Sequence, residues 1–418
     1  MAKSKSVLIV GGGIIGLCSA YYLHKKGLEV TVVDAGNYEG SCSFGNAGMV
    51  VPSHFIPLAA PGMITQGIKW MFNPESPFHI KPRLDKGLIS WGWKFYKASS
   101  EKKVQQAMPV LKELNLISKE LYEQIAVDES LEFAFQKKGL VMYCKSLESF
   151  QEEIEVAHKA NKLGLKTEIL DKEDAQSLDP GLKLDIEGAV YFPLDAFLTP
   201  NLFMKGLKDK LESDGVKFLR NTEIKGFQVK NNKITGVETP IEVLSADEYV
   251  IATGSWSASL LKNLKLSIPL MAGKGYSFVV PNPKAMPEIC SILTEARVAV
   301  TPMAHGLRFA GTMELAGLDL DINKRRLEGI FKSIPQYFPE FSADDFRDLE
   351  IWSGLRPCSP DGMPYIGRFN KYTNLVAATG HSMMGMSLGP VSGKMVSQII
   401  TNEKAEVESP LLSVDRYN

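Results

Sequence analysis

The sequence predicts an α/β fold: a discontinuous, Rossmann-like nucleotide-binding domain, plus an α+β domain with an antiparallel sheet inserted into it. Three observations carry this expectation. The chain opens on the continuous apolar run Val7-Leu8-Ile9-Val10, followed by Gly11-Gly12-Gly13-Ile14-Ile15-Gly16, a helical stretch, the run Val30-Thr31-Val32-Val33 and Asp34. That order of strand, glycine turn, helix, strand and acid is one βαβ unit of the dinucleotide-binding kind. Two more apolar runs, 248–252 and 374–378, each end in Thr-Gly far downstream, as though strands of the same sheet return late in the chain. Between them, residues 265–315 carry a largely β pattern.

The elements follow in order. An unbroken β-branched run such as 7–10 suits a strand buried on both faces. Leu17, Ala20, Tyr21 and Leu23 lie close to helical spacing, and Lys25-Lys26-Gly27 is a stop signal. Residues 41–62, rich in Gly, Ser, Ala and Pro, read as an ordered loop. Residues 85–125 read as helical, 133–144 as strand material with a turn at Gly139, 148–163 as a helix and 167–170 as a short strand. Residues 199–213 form an amphipathic helix pattern. Residues 227–229 and 234–237 read as a hairpin turning at Asn231-Asn232. Residues 322–337 read as a helix, and a Gly/Met-rich turn leads into a final helix over 387–401. The domain expectation is 1–55, 146–262 and 350–418 for the nucleotide domain, and 56–145 and 263–349 for the inserted domain.

Composition narrows the function classes. Of 418 residues, 44% are hydrophobic and 23% charged, which is enough apolar material for a large core and excludes disorder. The formal net charge of −1 provides no overall field for nucleic acid, so no nucleic-acid partner is expected. Cys18, Cys42, Cys144, Cys290 and Cys358 are scattered with no CxxC pair, and read as reduced thiols of a cytosolic protein. No secretory signal and no apolar span are expected. The six histidines show no metal-ligand spacing, and no metal is expected.

The glycines of Gly11-x-Gly13-x-x-Gly16 allow a tight turn and a close approach of backbone to a pyrophosphate, which would sit at the helix N-terminus. The Asp34 carboxylate can accept hydrogen bonds from ribose hydroxyls, and disfavours a 2′-phosphate. FAD or NAD is therefore expected over NADP.

Beyond the first motif, the chain carries SCSFGNAGMVVP at 41–52, IKWMFNPESPF at 68–78, IATGSWS at 251–257 and KGYSF at 274–278. It also carries GLRPCSPDGMPYIGR and then ATGHSMMGMSLG within 354–389. Through these segments it resembles the FAD-dependent D-amino acid oxidase/glycine oxidase superfamily, most of all the D-amino acid dehydrogenases. The resemblance implies an FAD-binding domain and a substrate domain. It also implies oxidative deamination of a D-amino acid, with D-proline or D-hydroxyproline as candidates, by hydride transfer from Cα to flavin N5. Electrons would pass to a non-oxygen acceptor such as a quinone; the alternative is a glycine/sarcosine-type oxidase using oxygen. An NAD-dependent dehydrogenase and a non-catalytic flavin protein are the readings from other classes.

Carried over by position, Gly11, Gly13, Ile14, Ile15, Gly16, Asp34 and Ala35 match the ADP-binding residues. Ser43, Asn46, Gly48 and Met49 match the loop near the isoalloxazine ring. Glu223 and Ile224 match the adenine contact, and Ala252, Thr253 and Gly254 the second strand end. Arg356, Gly380, His381, Met384, Gly385, Met386 and Ser387 match the segments beside the flavin. The turn before the last helix would aim N–H groups at the flavin edge that gains negative charge on reduction. Cys358 is in a different position from the cysteine that sarcosine oxidases link to flavin, so noncovalent FAD is expected.

The substrate end is less legible. The reaction demands placement of the substrate, and a cation or a set of donors for its carboxylate. Related oxidases carry an arginine in the strand matched here by 298–303, where this chain has Thr301-Pro302-Met303. Tyr276, Arg308, His381 and His54 are the candidate replacements. The stretch of Met63, Ile64, Ile68, Trp70, Met71, Phe72 and Ile80, with Lys69, Lys81 and Arg83, reads as a buried helix of the substrate domain or as a membrane-surface segment; the buried reading is preferred. A cytoplasmic location is expected, with peripheral contact on the inner face of the membrane left open.

Overall fold

The computed structural model of the chain describes residues 4–71, 73 and 75–418. Two sheets organise it. The first has six strands in the order Tyr365–Arg368, Leu375–Thr379, Glu248–Ile251, Ser6–Val10, Glu29–Val33 and Lys217–Leu219. All neighbours are parallel except the first pair. Strand Ser6–Val10 lies between the second and the late-returning strand, so chain order reverses at its C-terminal end. Open α/β sheets bind ligands at such a reversal. Helices Ile14–Lys25 and Gly389–Thr401 cover one face. They cross so closely that a Cβ added at Gly393 would lie 2.3 Å from the Cys18 carbonyl carbon.

The second sheet has nine strands. Its path runs Trp352–Cys358, Met271–Val280, Gly306–Leu315, Val298–Met303, Cys290–Leu293, Leu140–Cys144, Gly188–Phe192 and Glu168–Leu170, with Phe78–Ile80 pairing Gly306–Leu315. Most pairings are antiparallel. Phe278, Phe309, Phe331 and Phe346 pack together between this sheet and helix Lys324–Tyr337. The hairpin of Gly226–Lys230 and Lys233–Glu238 turns at Asn231 and Asn232 with φ of 51° and 55°. That is left-handed backbone, which asparagine tolerates.

Four segments differ from the expected division. Glu168–Leu170 and Gly188–Phe192 belong to the nine-stranded sheet, whereas the sequence places 146–262 in the nucleotide domain. Trp352–Cys358 also pairs there, beyond the expected boundary at 350. Helix Glu101–Asp128, expected with the substrate domain, buries Leu111, Leu114, Leu121 and Tyr122 in the core shared with Val391 and Met395. The Tyr122 hydroxyl donates to the Met386 carbonyl at 2.6 Å. An apolar face predicts that a segment buries one side; it does not say against which partner.

Candidate active site

The C-terminal ends of the parallel strands converge. Gly11 has φ +108°, and a Cβ there would lie 2.5 Å from the Ala252 carbonyl oxygen. A Cβ at Gly16 would lie 1.8 Å from the Gly11 carbonyl oxygen. Only glycines let strand end, turn and helix approach this closely. Helix Ile14–Lys25 has no acidic residue in its first turn and no side-chain cap on Gly13. Apart from the Ile14 N–H, which donates to Ser43 Oγ at 3.1 Å, its N-terminal donors and dipole are available to an anion. Asp34 shapes the same turn: Oδ2 accepts the Gly12 N–H at 2.6 Å and Oδ1 accepts the Gly36 N–H at 2.8 Å.

A cavity of about 1340 Å³ extends from this turn to the nine-stranded sheet. Gly11, Gly13, Ile14, Ile15, Asp34, Ala35, Ser43, Asn46 and Met49 line it, as do Glu223, Ile224, Ala252, Thr253 and Gly254. Arg356, His381, Met384, Gly385 and Met386 complete the expected set at its wall. Gly16, Gly48, Gly380 and Ser387 stand behind the wall. Gly48, at φ +74°, would place a Cβ 2.2 Å from the Leu198 carbonyl oxygen. Ser387 Oγ accepts the Val51 N–H at 2.9 Å and donates to Asn115 Oδ1 at 2.6 Å. Gly380 takes φ +78° as the chain leaves strand Leu375–Thr379. The last helix starts at Gly389, two residues later than expected, so the cavity meets the turn before it and not its first residues.

Of the four expected substrate groups, the structure leaves one free for chemistry. Arg308 does not line the cavity. Its Nη1 donates to the carbonyls of Phe44 at 3.1 Å and Asn46 at 2.7 Å, so it fastens the loop 41–52 from the side of strand Gly306–Leu315. Burial lowers its pKa to about 10. The Tyr276 hydroxyl gives its single proton to the Glu314 carboxylate and accepts the Asn323 N–H at 2.9 Å. It has no donor left for a substrate. The His381 ring turns into the base of the last helix, with Nε2 2.8 Å from Ser392 Oγ, and burial pushes its pKa down to about 3. Alternation along a strand identifies a face but not the loop that occupies it. His54 remains at the cavity wall.

Three cations line the cavity among the described residues: Lys225, which pairs with Glu223, Arg297 beside His54, and Arg356, which the sequence places in the cofactor set by position alone. Strand Trp352–Cys358 pairs with Met271–Val280, and Gly275 leaves space for the guanidinium: a Cβ there would lie 2.1 Å from Arg356 Nη1. Nη1 donates to the Thr312 carbonyl at 2.6 Å. Among the described residues no carboxylate pairs with this arginine, and its burial lowers its pKa. Burying an uncompensated cation is costly unless an anion arrives.

Comparison with known proteins identifies the group to which this architecture belongs. The model of the FAD dependent oxidoreductase family matches residues 6–399. The chain belongs to that family. D-amino acid dehydrogenase of Vibrio atlanticus (strain LGP32) is 33% identical over 98% of this chain and 99% of the relative. D-amino acid dehydrogenase of Helicobacter pylori is 30% identical over 96% of each. The solved glycine oxidase from Geobacillus kaustophilus superposes with a TM-score of 0.79 at 20% identity, covering 99% of this chain and 100% of that one. The fold is thus that of the FAD-dependent oxidoreductases, and the cofactor is FAD.

The cavity fits that cofactor on its own geometry. The glycine turn is open to a pyrophosphate, Asp34 retains lone pairs, and the buried hydroxyls of Ser41 and Thr312 at the cavity have no hydrogen-bond partner among the described residues. Cys358 also faces the cavity, but burial pushes its thiol up to about 11, so it stays protonated and unreactive. The mouth corrects one expectation of this family member. Helix Met63–Met71 is not buried: only its Gly67 is, and Phe72 lies outside the described residues. Among the described residues no helix is long and apolar enough to cross a membrane.

Proposed function

We propose that this FAD-dependent oxidoreductase oxidises the Cα–N bond of a D-amino acid, holding the substrate's carboxylate with Arg356. The single observation that carries this reading is the Arg356 guanidinium in the cavity wall, without a carboxylate partner among the described residues. A planar fork of donors suits a carboxylate. Met49, Met142, Ile292 and Ala299 give the same cavity apolar wall for a substrate side chain. Bound FAD supplies the two-electron acceptor. The D configuration rests on the names of the relatives, and proline-type substrates on the family resemblance. The imine product hydrolyses to a keto acid. The deciding experiment is anaerobic bleaching of the bound flavin by paired D- and L-amino acids, D-proline and D-hydroxyproline included. Bleaching by L-isomers alone, or by none, overturns the reading. Arg356→Met should lower kcat/KM by roughly 2–5 kcal/mol, mostly through KM.

The electron acceptor in this proposal is a quinone reached at a membrane surface. Ile68, Leu84, Ile89, Trp93 and Tyr96 are exposed beside Lys69, Lys81, Lys86 and Lys97. Ile68, Met71 and Tyr96 also line the cavity, so the apolar patch borders its mouth. Apolar side chains ringed by lysines suit an anionic lipid surface. Flotation with anionic vesicles tests this. Ile89→Glu combined with Trp93→Glu should abolish flotation while leaving flavin bleaching intact; unchanged flotation refutes the patch.

A further inference from the structure

Strand Met49–Val50 pairs with Ala196–Phe197, so backbone register brings Ser53 and His54, just past the first strand, beside Asp195, just before the second. Ser53 binds that carboxylate twice. Its N–H donates to Asp195 Oδ1 at 3.0 Å and its hydroxyl donates to Oδ2 at 2.5 Å. A serine hydroxyl has one proton. With that proton given to Asp195, Ser53 Oγ offers only lone pairs to His54 Nδ1, 3.1 Å away. The ring proton therefore sits on Nδ1, and Nε2 keeps a lone pair. Nε2 has no hydrogen-bond partner among the described residues, and His54 lines the cavity.

We infer that His54, Ser53 and Asp195 form a proton relay that takes a proton from the substrate's ammonium group. This rests on the proposed amino-acid oxidation, which needs a neutral amine before the C=N bond can form. The ammonium N–H bond breaks and its proton joins His54 Nε2. The Nδ1 proton passes to Ser53 Oγ as the original hydroxyl proton passes to Asp195 Oδ2. One proton moves in, no electrons move, and the chain ends with a neutral histidine and a neutral carboxyl. The reverse path returns the proton to solvent after product leaves.

The surroundings favour Asp195 as the resting place of the proton. Asp195 is 1% exposed, and burial pushes its carboxyl up to about 7. Burial, assisted by Arg297, pushes His54 down to about 4. The other groups facing Asp195 are Lys119, which favours the charged form, and Cys290 and Tyr191, both of which burial keeps neutral. A hydrogen-bond clip alone would fasten the loop equally well with the carboxyl in either state; the relay also fixes which nitrogen of His54 faces the cavity.

Asp195→Asn separates the two. The amide oxygen keeps the Ser53 N–H bond, but the amide N–H donates to Ser53 Oγ. The hydroxyl proton is then forced onto the bond to His54 Nδ1, and the ring proton moves to Nε2. Nitrogen-15 spectra of histidine-labelled holoenzyme at pH 8 should show a bare Nε2 in the wild type and a protonated Nε2 in the variant. Anaerobic flavin reduction at pH 7.5 should fall about 100-fold in the variant. The wild type's loss of rate below about pH 7 should vanish. Ser53→Ala, which removes the middle link and adds no buried group, should give the same loss, and Ser53→Thr should restore it. A protonated Nε2 in the wild type at pH 8, or a variant with normal rate and pH profile, overturns the relay. Failure of every amino acid to bleach wild-type flavin overturns the proposed function and the relay together; a bleached wild type with an unaffected Asp195→Asn overturns the relay alone.

Discussion

Asp34 gives the sharpest test of the nucleotide half. The sequence reading places it on a ribose hydroxyl; the structure adds that both of its oxygens already accept backbone N–H groups, from Gly12 at 2.6 Å and Gly36 at 2.8 Å. Each is a charge-assisted bond inside a partly buried turn. Asp34→Asn is therefore not a mild change. Its amide oxygen can take one N–H, but its amide N–H₂ faces the other as donor against donor. One backbone donor is left unpaired, at about 1–3 kcal/mol, before any ribose contact is lost. Because the Gly12 N–H belongs to the phosphate turn, the cost falls on the apoprotein and on FAD affinity alike. Asp34→Asn should lower the apoprotein's Tm and weaken FAD binding by roughly 10–100-fold, about 1.4–2.8 kcal/mol. Titration of apoprotein with FAD, followed by fluorescence quenching, gives the affinity, and calorimetry gives Tm. An unchanged apoprotein Tm together with FAD affinity within a factor of two would refute the reasoning, because it would mean that neither bond contributes.

The other predictions follow from the same geometry. Arg308→Met strips two donors from the Phe44 and Asn46 carbonyls, so the loop 41–52 should loosen and FAD should bind more weakly, by about 2 kcal/mol, with KM near normal; a large rise in KM at unchanged FAD affinity would return Arg308 to the substrate. His381 is held neutral by burial, with a folded pKa of about 3 against 6.5 for the free side chain. Between these values the unfolded chain binds the extra proton, so stability falls as pH drops from 6.5 towards 4, by on the order of 3 kcal/mol from this residue. His381→Gln should flatten that part of the stability–pH curve, measured by denaturant titration, and an unaltered curve would show the ring is not buried as described. Acid precipitation should release the yellow chromophore into the supernatant; colour retained in the pellet would show a covalent link to Cys358 or another residue.

The sequence by itself determined the nucleotide half, because there the chemistry is local. A glycine turn between a buried strand and a helix, closed by an acid, dictates backbone shape within some thirty residues, and Gly11, Gly13 and Asp34 lie at the cavity as the pattern requires. The substrate half was decided by tertiary structure. Arg308 and Arg356 are both arginines on strands of the same sheet, and nothing within either strand says which one meets a loop and which meets open space. That is settled by Gly275, which leaves space for the Arg356 guanidinium, and by the carbonyls of Phe44 and Asn46, which occupy Arg308. Tyr276 was spent on Glu314, with which it forms a contact across 38 positions of chain. Asp195 carries no motif, and its partnership with Ser53 exists only because two short strands far apart in the chain, 49–50 and 196–197, pair as a separate two-stranded sheet. Local backbone rules reach a few residues. Which polar groups end up free, paired or buried depends on contacts between segments far apart in the chain, and those contacts exist only once both sheets are assembled.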